Sequence, residues 1–339
     1  MAEIVYGFGS SHGPLLSLAP EKWDLRAQAD KARTDHAFKD GTYTYDQLLE
    51  LRRSNYLADQ NRLEVRKENY QRCQDALDKL GEKLRQMKPD VVVLIGDDQH
   101  EWFHNEVQPS FAVFHGKEVL NKKFDPEHYA KAPPGIAEAA TGHLPPEDQM
   151  YPVDSSLAEH LIHTMIEDEF DVTACEKIPE NAKGPIGITH SVGFIARRIM
   201  NDEPIPMVPV LINTFWPPNQ IKPGRCYDLG KSIGKAIRSW NGANKNKRVA
   251  VIASGGLTHY VVDEEWDQRM LKAFQEKDVS AIRNEPNVMF RAGTSETKNW
   301  ITALGALEDT GFEMTLLDYV PCYRSEAGTG NAMAFATWE

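Results

Sequence analysis

Four short runs of the chain are apolar at almost every position: Ile4 to Phe8, Val91 to Ile95, Pro206 to Ile212 and Arg248 to Ala253. Runs of this length without polar alternation are expected of strands buried on both faces of a sheet. Ser110 to His115, Met314 to Tyr319 and Asn331 to Trp338 predict further strands. Between them the apolar period changes to three or four. From about Tyr45 to Met87, Leu48, Leu51, Leu63, Leu77, Leu80 and Leu84 recur among Arg, Glu, Lys and Asp, predicting one or two amphipathic helices. Helical spacing also marks Ser155 to Glu167, a segment ending near Met200, Cys226 to Trp240, Glu264 to Glu276 and Thr297 to Leu307. Strands alternating with helices predict a single large α/β domain over residues 1–339, with a central, mostly parallel mixed sheet flanked by helices. A helical insertion at about 21–89 is placed to pack on the sheet, cover a site or meet a second subunit.

The strands stop in a repeated way. The first ends in Ser11-His12-Gly13-Pro14, the second in Gly96-Asp97-Asp98-Gln99-His100-Glu101, and the run to Ala253 in Ser254-Gly255-Gly256-Leu257-Thr258-His259. In parallel α/β sheets the carboxyl edge of the strands is where ligands bind, so histidines there are candidates for chemistry. His190 sits at a helix start, where the positive dipole end is expected to lower its pKa and keep it neutral. Glu296, after Ala292-Gly293-Thr294-Ser295, opens another helix. Two neutral imidazoles and one carboxylate on one side of a metal suit non-haem Fe(II), and the same donors suit catalytic zinc.

Other histidines read as structural. His128 and His143 fall in a Pro- and Gly-rich stretch, 120–150, expected to be a solvated surface loop, and His160 and His163 lie on one exposed helix face. The Gly-rich loop Ser325 to Gly330 lacks the Lys of a phosphate-binding loop. Cys73, Cys175, Cys226 and Cys322 have no paired spacing, which argues against a disulfide framework or a thiolate zinc site. With 41% hydrophobic residues the 339-residue chain has material for a sizeable core. A net charge of −12, without a basic run, argues against nucleic acid as partner. No apolar run reaches the length of a membrane span, so a soluble, cytoplasmic protein is expected.

The set Ser11-His12-Gly13-Pro14, Gly96-Asp97-Asp98-Gln99, Gly255-Gly256-Leu257-Thr258-His259 and Ala292-Gly293 with Glu296 and Trp300 resembles the class III extradiol ring-cleavage dioxygenases. It is most similar to the branch with the catalytic subunit of protocatechuate 4,5-dioxygenase and the gallate and 3-O-methylgallate dioxygenases. The motifs run in family order from residue 12 to about 307. The resemblance implies Fe(II) as cofactor, a small aromatic diol and O2 as substrates, and, as in some relatives, room for a small partner subunit; a homo-oligomer such as a dimer is expected. By the same resemblance His12 and Glu296 match iron ligands, His259 the catalytic acid/base and His190 a second active-site histidine. The third ligand departs from the family pattern Asn-Asp-His, because this chain reads Asp97-Asp98-Gln99-His100. Counting back from Phe103 puts Gln99 in the slot, and one extra loop residue puts His100 there. Imidazole is the better Fe(II) donor, so His100 is expected, with Gln99 as the alternative. Thr329 and Ser325 are the expected donors to a substrate carboxylate. Two competing readings share the residues: a zinc hydrolase on the same ligands, and a non-catalytic relative of the fold.

Overall fold

The computed structural model describes residues 1–179, 187–240 and 246–339. Its strands are β1 (Glu3–Ser10), β2 (His36–Phe38), β3 (Gly41–Tyr43), β4 (Val91–Asp97), β5 (Phe111–Phe114), β6 (Glu118–Asn121) and β7 (Gln149–Pro152). They continue with β8 (Thr173–Cys175), β9 (Met207–Ile212), β10 (Arg248–Ser254), β11 (His259–Val261), β12 (Met314–Tyr323) and β13 (Thr329–Trp338). One large mixed sheet has the order β11-β13-β1-β10-β4-β9-β5-β8, with β12 paired to β13. Its centre, β1-β10-β4-β9, is parallel, and antiparallel pairings close both flanks. This is the single α/β domain expected, a large mixed sheet flanked by helices.

The uninterrupted apolar runs have a simple cause. Side chains alternate across a strand, and each face of this sheet carries its own core. Val91, Val93, Ile95, Val208, Val210, Val249 and Val251 point into one core. Val92, Leu94, Leu211, Ala250 and Ile252 point into the other, with Tyr6 and Phe8. Against the first core pack the helices Pro223–Ser239 and Thr297–Ala306, whose backbones approach closely enough that a Cβ on Gly230 would lie 2.0 Å from the Thr302 carbonyl oxygen. Against the second packs the 25-residue helix Leu63–Met87, through Leu77, Leu80 and Leu84.

The segment 21–89 is more divided than its periodicity suggests. The helical pattern over 45–87 breaks into Tyr45–Arg52, Asn55–Gln60 and Leu63–Met87. Thr44 and Ser54 cap the first two starts, each accepting a backbone N–H, so a fresh helix begins at each. Ahead of them lie the helix Trp23–Ala32 and the β2–β3 hairpin. The stretch 120–150 is also not a plain loop. β6 pairs with β7, and the intervening chain folds back over the sheet edge. The helix that starts at His190 continues through Ile195–Ile199 as a wider π-type turn. The Gly184-Pro185-Ile186 lead-in to this helix lies outside the described residues.

Because β1, β10 and β4 are adjacent and parallel, Ser11-His12, Ser254-Gly255 and Asp97-Asp98 all leave the sheet at one edge. The motifs are far apart in sequence, and the sheet topology brings them together.

Candidate active site

At that edge the ligand atoms of His12, Asp97, His190 and Glu296 lie within 4.8 Å of one another. His12, Asp97 and Glu296 are buried and His190 is half-buried. Each side chain is held from behind. The Ser254 hydroxyl donates to the Ser191 carbonyl oxygen at 2.6 Å, so toward His12 Nδ1, 2.9 Å away, it can only accept. His12 therefore carries its proton on Nδ1 and turns the Nε2 lone pair into the site. His190 is fixed the same way: Nδ1 lies 2.9 and 3.0 Å from the two carboxylate oxygens of Glu101 and donates to them. The two Nε2 atoms then face each other at 3.1 Å. Two lone pairs at this distance repel unless a cation, a proton or a metal ion, lies between them.

Glu296 completes the cluster from the far side of the sheet edge. One oxygen lies 3.3 Å from His12 Nε2 and accepts the Gly256 N–H at 3.1 Å. The other accepts the Gln99 side-chain amide at 3.0 Å and lies 3.2 Å from His259 Nε2. Burial would raise the Glu296 pKa, but His259 and His12 hold it well below the usual carboxylate range. Asp97 ends β4 with one oxygen accepting from Asn299 at 3.1 Å, and its other oxygen has no hydrogen-bond partner. Burial and the nearby Glu296 charge push Asp97 up to about 6. An orphaned buried carboxylate oxygen next to two opposed imidazoles is what a divalent cation would satisfy, and the donor set fits one.

His259 ends the loop Gly255-Gly256-Leu257-Thr258 with Nδ1 donating to the Leu257 carbonyl oxygen at 2.9 Å, which leaves Nε2 on the cavity side. Burial lowers its pKa, but the Glu296 carboxylate outweighs this and raises it. The ring is closely walled. A Cβ on Gly293 would fall 2.0 Å from the ring, so no larger residue fits there while His259 keeps its place. His190 does not behave as its helix-start position suggests. Against burial, the carboxylates of Glu101, Asp97 and Glu296 raise its pKa to about 10, overriding the helix dipole. His143 is not a solvated loop histidine. It lines the cavity 6.1 Å from the His190 ring, and burial plus the like charge of His190 drive it down to about 3.

The structure does not bring His100 to this cluster. Its backbone has a positive φ of 64°, and its ring stacks on Trp216 with centroids 3.7 Å apart. Gln99, the alternative, is the residue whose side chain meets Glu296. The turn is set by Asp98, whose carboxylate accepts the backbone N–H groups of His100, Glu101, Trp102 and Phe103. Thr329 and Ser325 are likewise placed elsewhere: they are buried, hydrogen-bonded to each other at 2.7 Å, and do not line the cavity.

His12, His190, His259 and Glu296 line a cavity of about 250 Å³. Pro14, Ile136, Ala139, Ala140 and Phe194 supply an apolar middle, and Arg26, Tyr129, Tyr260, Arg324 and Asn331 line it as well. Glu101 and Arg26 were missed in the sequence. Glu101 sits two residues past Gln99 in the same motif, a signal available in principle, whereas Arg26 lies in a charged helix with nothing to mark it.

The description "catalytic LigB subunit of aromatic ring-opening dioxygenase" fits this chain over residues 57–329. The chain belongs to this family. Among curated proteins it is similar to a 2,3-dihydroxyphenylpropionate/2,3-dihydroxicinnamic acid 1,2-dioxygenase of Burkholderia vietnamiensis, 21% identical over 292 residues that cover 70% of this chain and 81% of the relative. The like-named protein of Cupriavidus necator is 23% identical over 252 residues, covering 70% and 69%. That of Klebsiella pneumoniae is 25% identical over 179 residues, covering 52% of this chain and 46% of its own length. No helix among the described residues of this LigB-family chain is long and apolar enough to cross a membrane.

Proposed function

We propose that this chain is an extradiol dioxygenase that opens the ring of a catecholic aromatic acid, of the protocatechuate, gallate, 3-O-methylgallate or dihydroxyphenylpropionate type, with O2. We propose Fe(II) as its metal, held by His12, His190 and Glu296 with Asp97 beside them. The observation that carries this reading is the pair of opposed Nε2 atoms, 3.1 Å apart, beside a buried carboxylate. Membership of a ring-opening family and relatives named for catechols that bear a carboxylate support it. In this reading His190 is a metal ligand rather than a second active-site histidine near the substrate, and His100 has no part.

When bound, Fe(II) supplies open positions for the diol oxygens and for O2, and so holds both reactants together. The ring supplies the electrons; both atoms of O2 end in the product as the ring carbon–carbon bond beside the diol breaks. The residues supply the rest. His259 Nε2 takes a diol proton and later returns one, its other nitrogen held by the Leu257 carbonyl so that the ring cannot turn away. Glu101 keeps His190 Nε2 directed inward. His143, neutral throughout the working pH range, offers a hydrogen-bonding wall that adds no charge. The apolar middle of the cavity takes the ring and excludes water.

Anaerobic purification, Fe(II) loading and an oxygen electrode test this with protocatechuate, gallate, 3-O-methylgallate and 2,3-dihydroxyphenylpropionate. Stoichiometric oxygen uptake with a yellow ring-opened product, lost in Glu296→Ala, is the expected result. One metal per chain with no uptake on any catechol would replace it by the zinc hydrolase. Failure to bind any metal would leave a non-catalytic relative.

A further inference from the structure

The cavity lined by the metal-ligating residues also holds two arginines that differ in one respect. Arg324 is fully engaged: Nε and Nη2 donate to the two oxygens of Asp30 at 2.6 and 2.9 Å, and Nη1 donates to Asn331 at 2.8 Å. Arg26, on the helix Trp23–Ala32, is 7% exposed and has one hydrogen-bond partner among the described residues, the Pro134 carbonyl oxygen, 3.0 Å from Nη1. Its Nε is buried with no acceptor. Among the described residues no carboxylate lies within ion-pair distance of Arg26, and the one acid between the two arginines, Asp30, is bound bidentate to Arg324. The two guanidinium groups thus share the one nearby carboxylate of Asp30, which is already paired with Arg324. A buried guanidinium without a counter-ion is costly, and Arg stays protonated at any working pH.

We propose that Arg26 is the anchor for the substrate's carboxylate. This rests on the dioxygenase reading for the diol end and deepens it by naming the group at the other end. The chemistry recognised is an aromatic ring with vicinal hydroxyls at one side and an anionic carboxylate at the other, so that Arg26 selects acids over neutral catechols. Its fork of N–H donors matches a carboxylate, and Arg26 lines the cavity without a carboxylate partner of its own among the described residues. Arg26 takes the role that Thr329 and Ser325 were expected to fill.

The test compares each acid with its amide, protocatechuate against 3,4-dihydroxybenzamide, in the Fe(II)-loaded enzyme. For Arg26→Met, the ratio of kcat/KM for acid over amide should fall by about 30-fold, the size of a lost charge-assisted hydrogen bond. Arg26→Lys, which keeps the charge but not the fork, should lose part of it. An acid-to-amide ratio near one in the wild type, or a ratio unmoved in both variants, overturns the anchor while leaving ring cleavage intact. Calorimetry on the metal-free wild type is independent of turnover and of the variants' folding. Benzoate should bind and benzamide should not. That result without any oxygen uptake would keep the carboxylate site and remove the dioxygenase reading. Equal binding of the two would overturn the site.

Discussion

The loops after β1 and β4 begin alike and end differently. Each leaves a buried parallel strand at the same sheet edge, and each delivers a histidine within three residues of the strand's last position. After β1 the chain passes straight from Ser10 through Ser11 to His12, and the imidazole enters the cluster with its Nδ1 fixed on Ser254. After β4 the chain meets Asp98, which draws a run of backbone N–H groups around its carboxylate. That turn throws His100 out onto Trp216, leaves Gln99 facing Glu296, and brings Glu101 back under His190. Strand position therefore says which loop reaches the site. The first polar residue of the loop decides which side chain arrives.

His12→Ala should break the first loop completely. Metal stoichiometry should fall to background by elemental analysis, and oxygen uptake with it, because one opposed imidazole cannot hold the ion that two share. Asp98→Ala attacks the second loop at its turn. It leaves several backbone donors without their acceptor, and should cost about 2–3 kcal/mol in urea unfolding, with metal affinity weakened as Glu101 shifts. Unchanged stability would mean that solvent replaces the Asp98 oxygens and that the turn stands without it. Glu101→Gln keeps the turn and a hydrogen bond to His190 but removes the charge. Metal affinity should drop about 10- to 100-fold, the usual effect of losing a ligand's carboxylate partner, read by competition with a chelating dye.

The loop after β10 offers a quieter comparison. Thr258, next to His259, donates to Asp267 through both its N–H, at 2.9 Å, and its hydroxyl, at 2.7 Å, and the Tyr319 hydroxyl donates at 2.7 Å. Burial outweighs these donors and raises Asp267 to about 7. The folded protein therefore keeps this proton over a pH range in which the unfolded chain has lost it. Stability from this group is fully present below 3.8, the ordinary value of a free aspartate, and declines as pH rises through about 7. In Asp267→Asn that decline between pH 5 and pH 8 should disappear from urea titrations, whatever the overall offset.

Much of this was legible in the sequence, for definite reasons. The four central strands are buried on both faces, so they are written as unbroken apolar runs, and parallel neighbours must end at one edge. His12 and His259 follow from that edge, Glu296 opens a helix that packs beside it, and the three come together there. What was not legible depends on contacts made across the fold. His143 reads as a solvated loop residue because nothing local shows that 120–150 folds back over the cavity. The charge on His190 is set by Glu101, 89 residues away, and not by its own helix. Arg26 is one of two cations in the helix Trp23–Ala32, and nothing local marks it until its buried, unpaired Nε can be seen.

His100→Ala gives the smallest expected change and the sharpest use of the comparison. By sequence the residue is the better metal donor, and by structure it is an aromatic plate on Trp216 with Nε2 3.0 Å from the Gln108 side chain. Its loss removes one stacked contact, worth about 0.5–1.5 kcal/mol of local stability. kcat/KM and metal affinity should stay within about two-fold of wild type, because Gln99, Glu101 and the Asp98 turn need only its backbone. Loss of metal in His100→Ala would mean that the loop after β4 rearranges to present its imidazole when the ion binds, and would move the third ligand from His190 to His100. The same measurement on Gln99→Ala separates the cases. An effect confined to Gln99 fits the contact with Glu296 seen here, whereas an effect confined to His100 requires the turn at Asp98 to open.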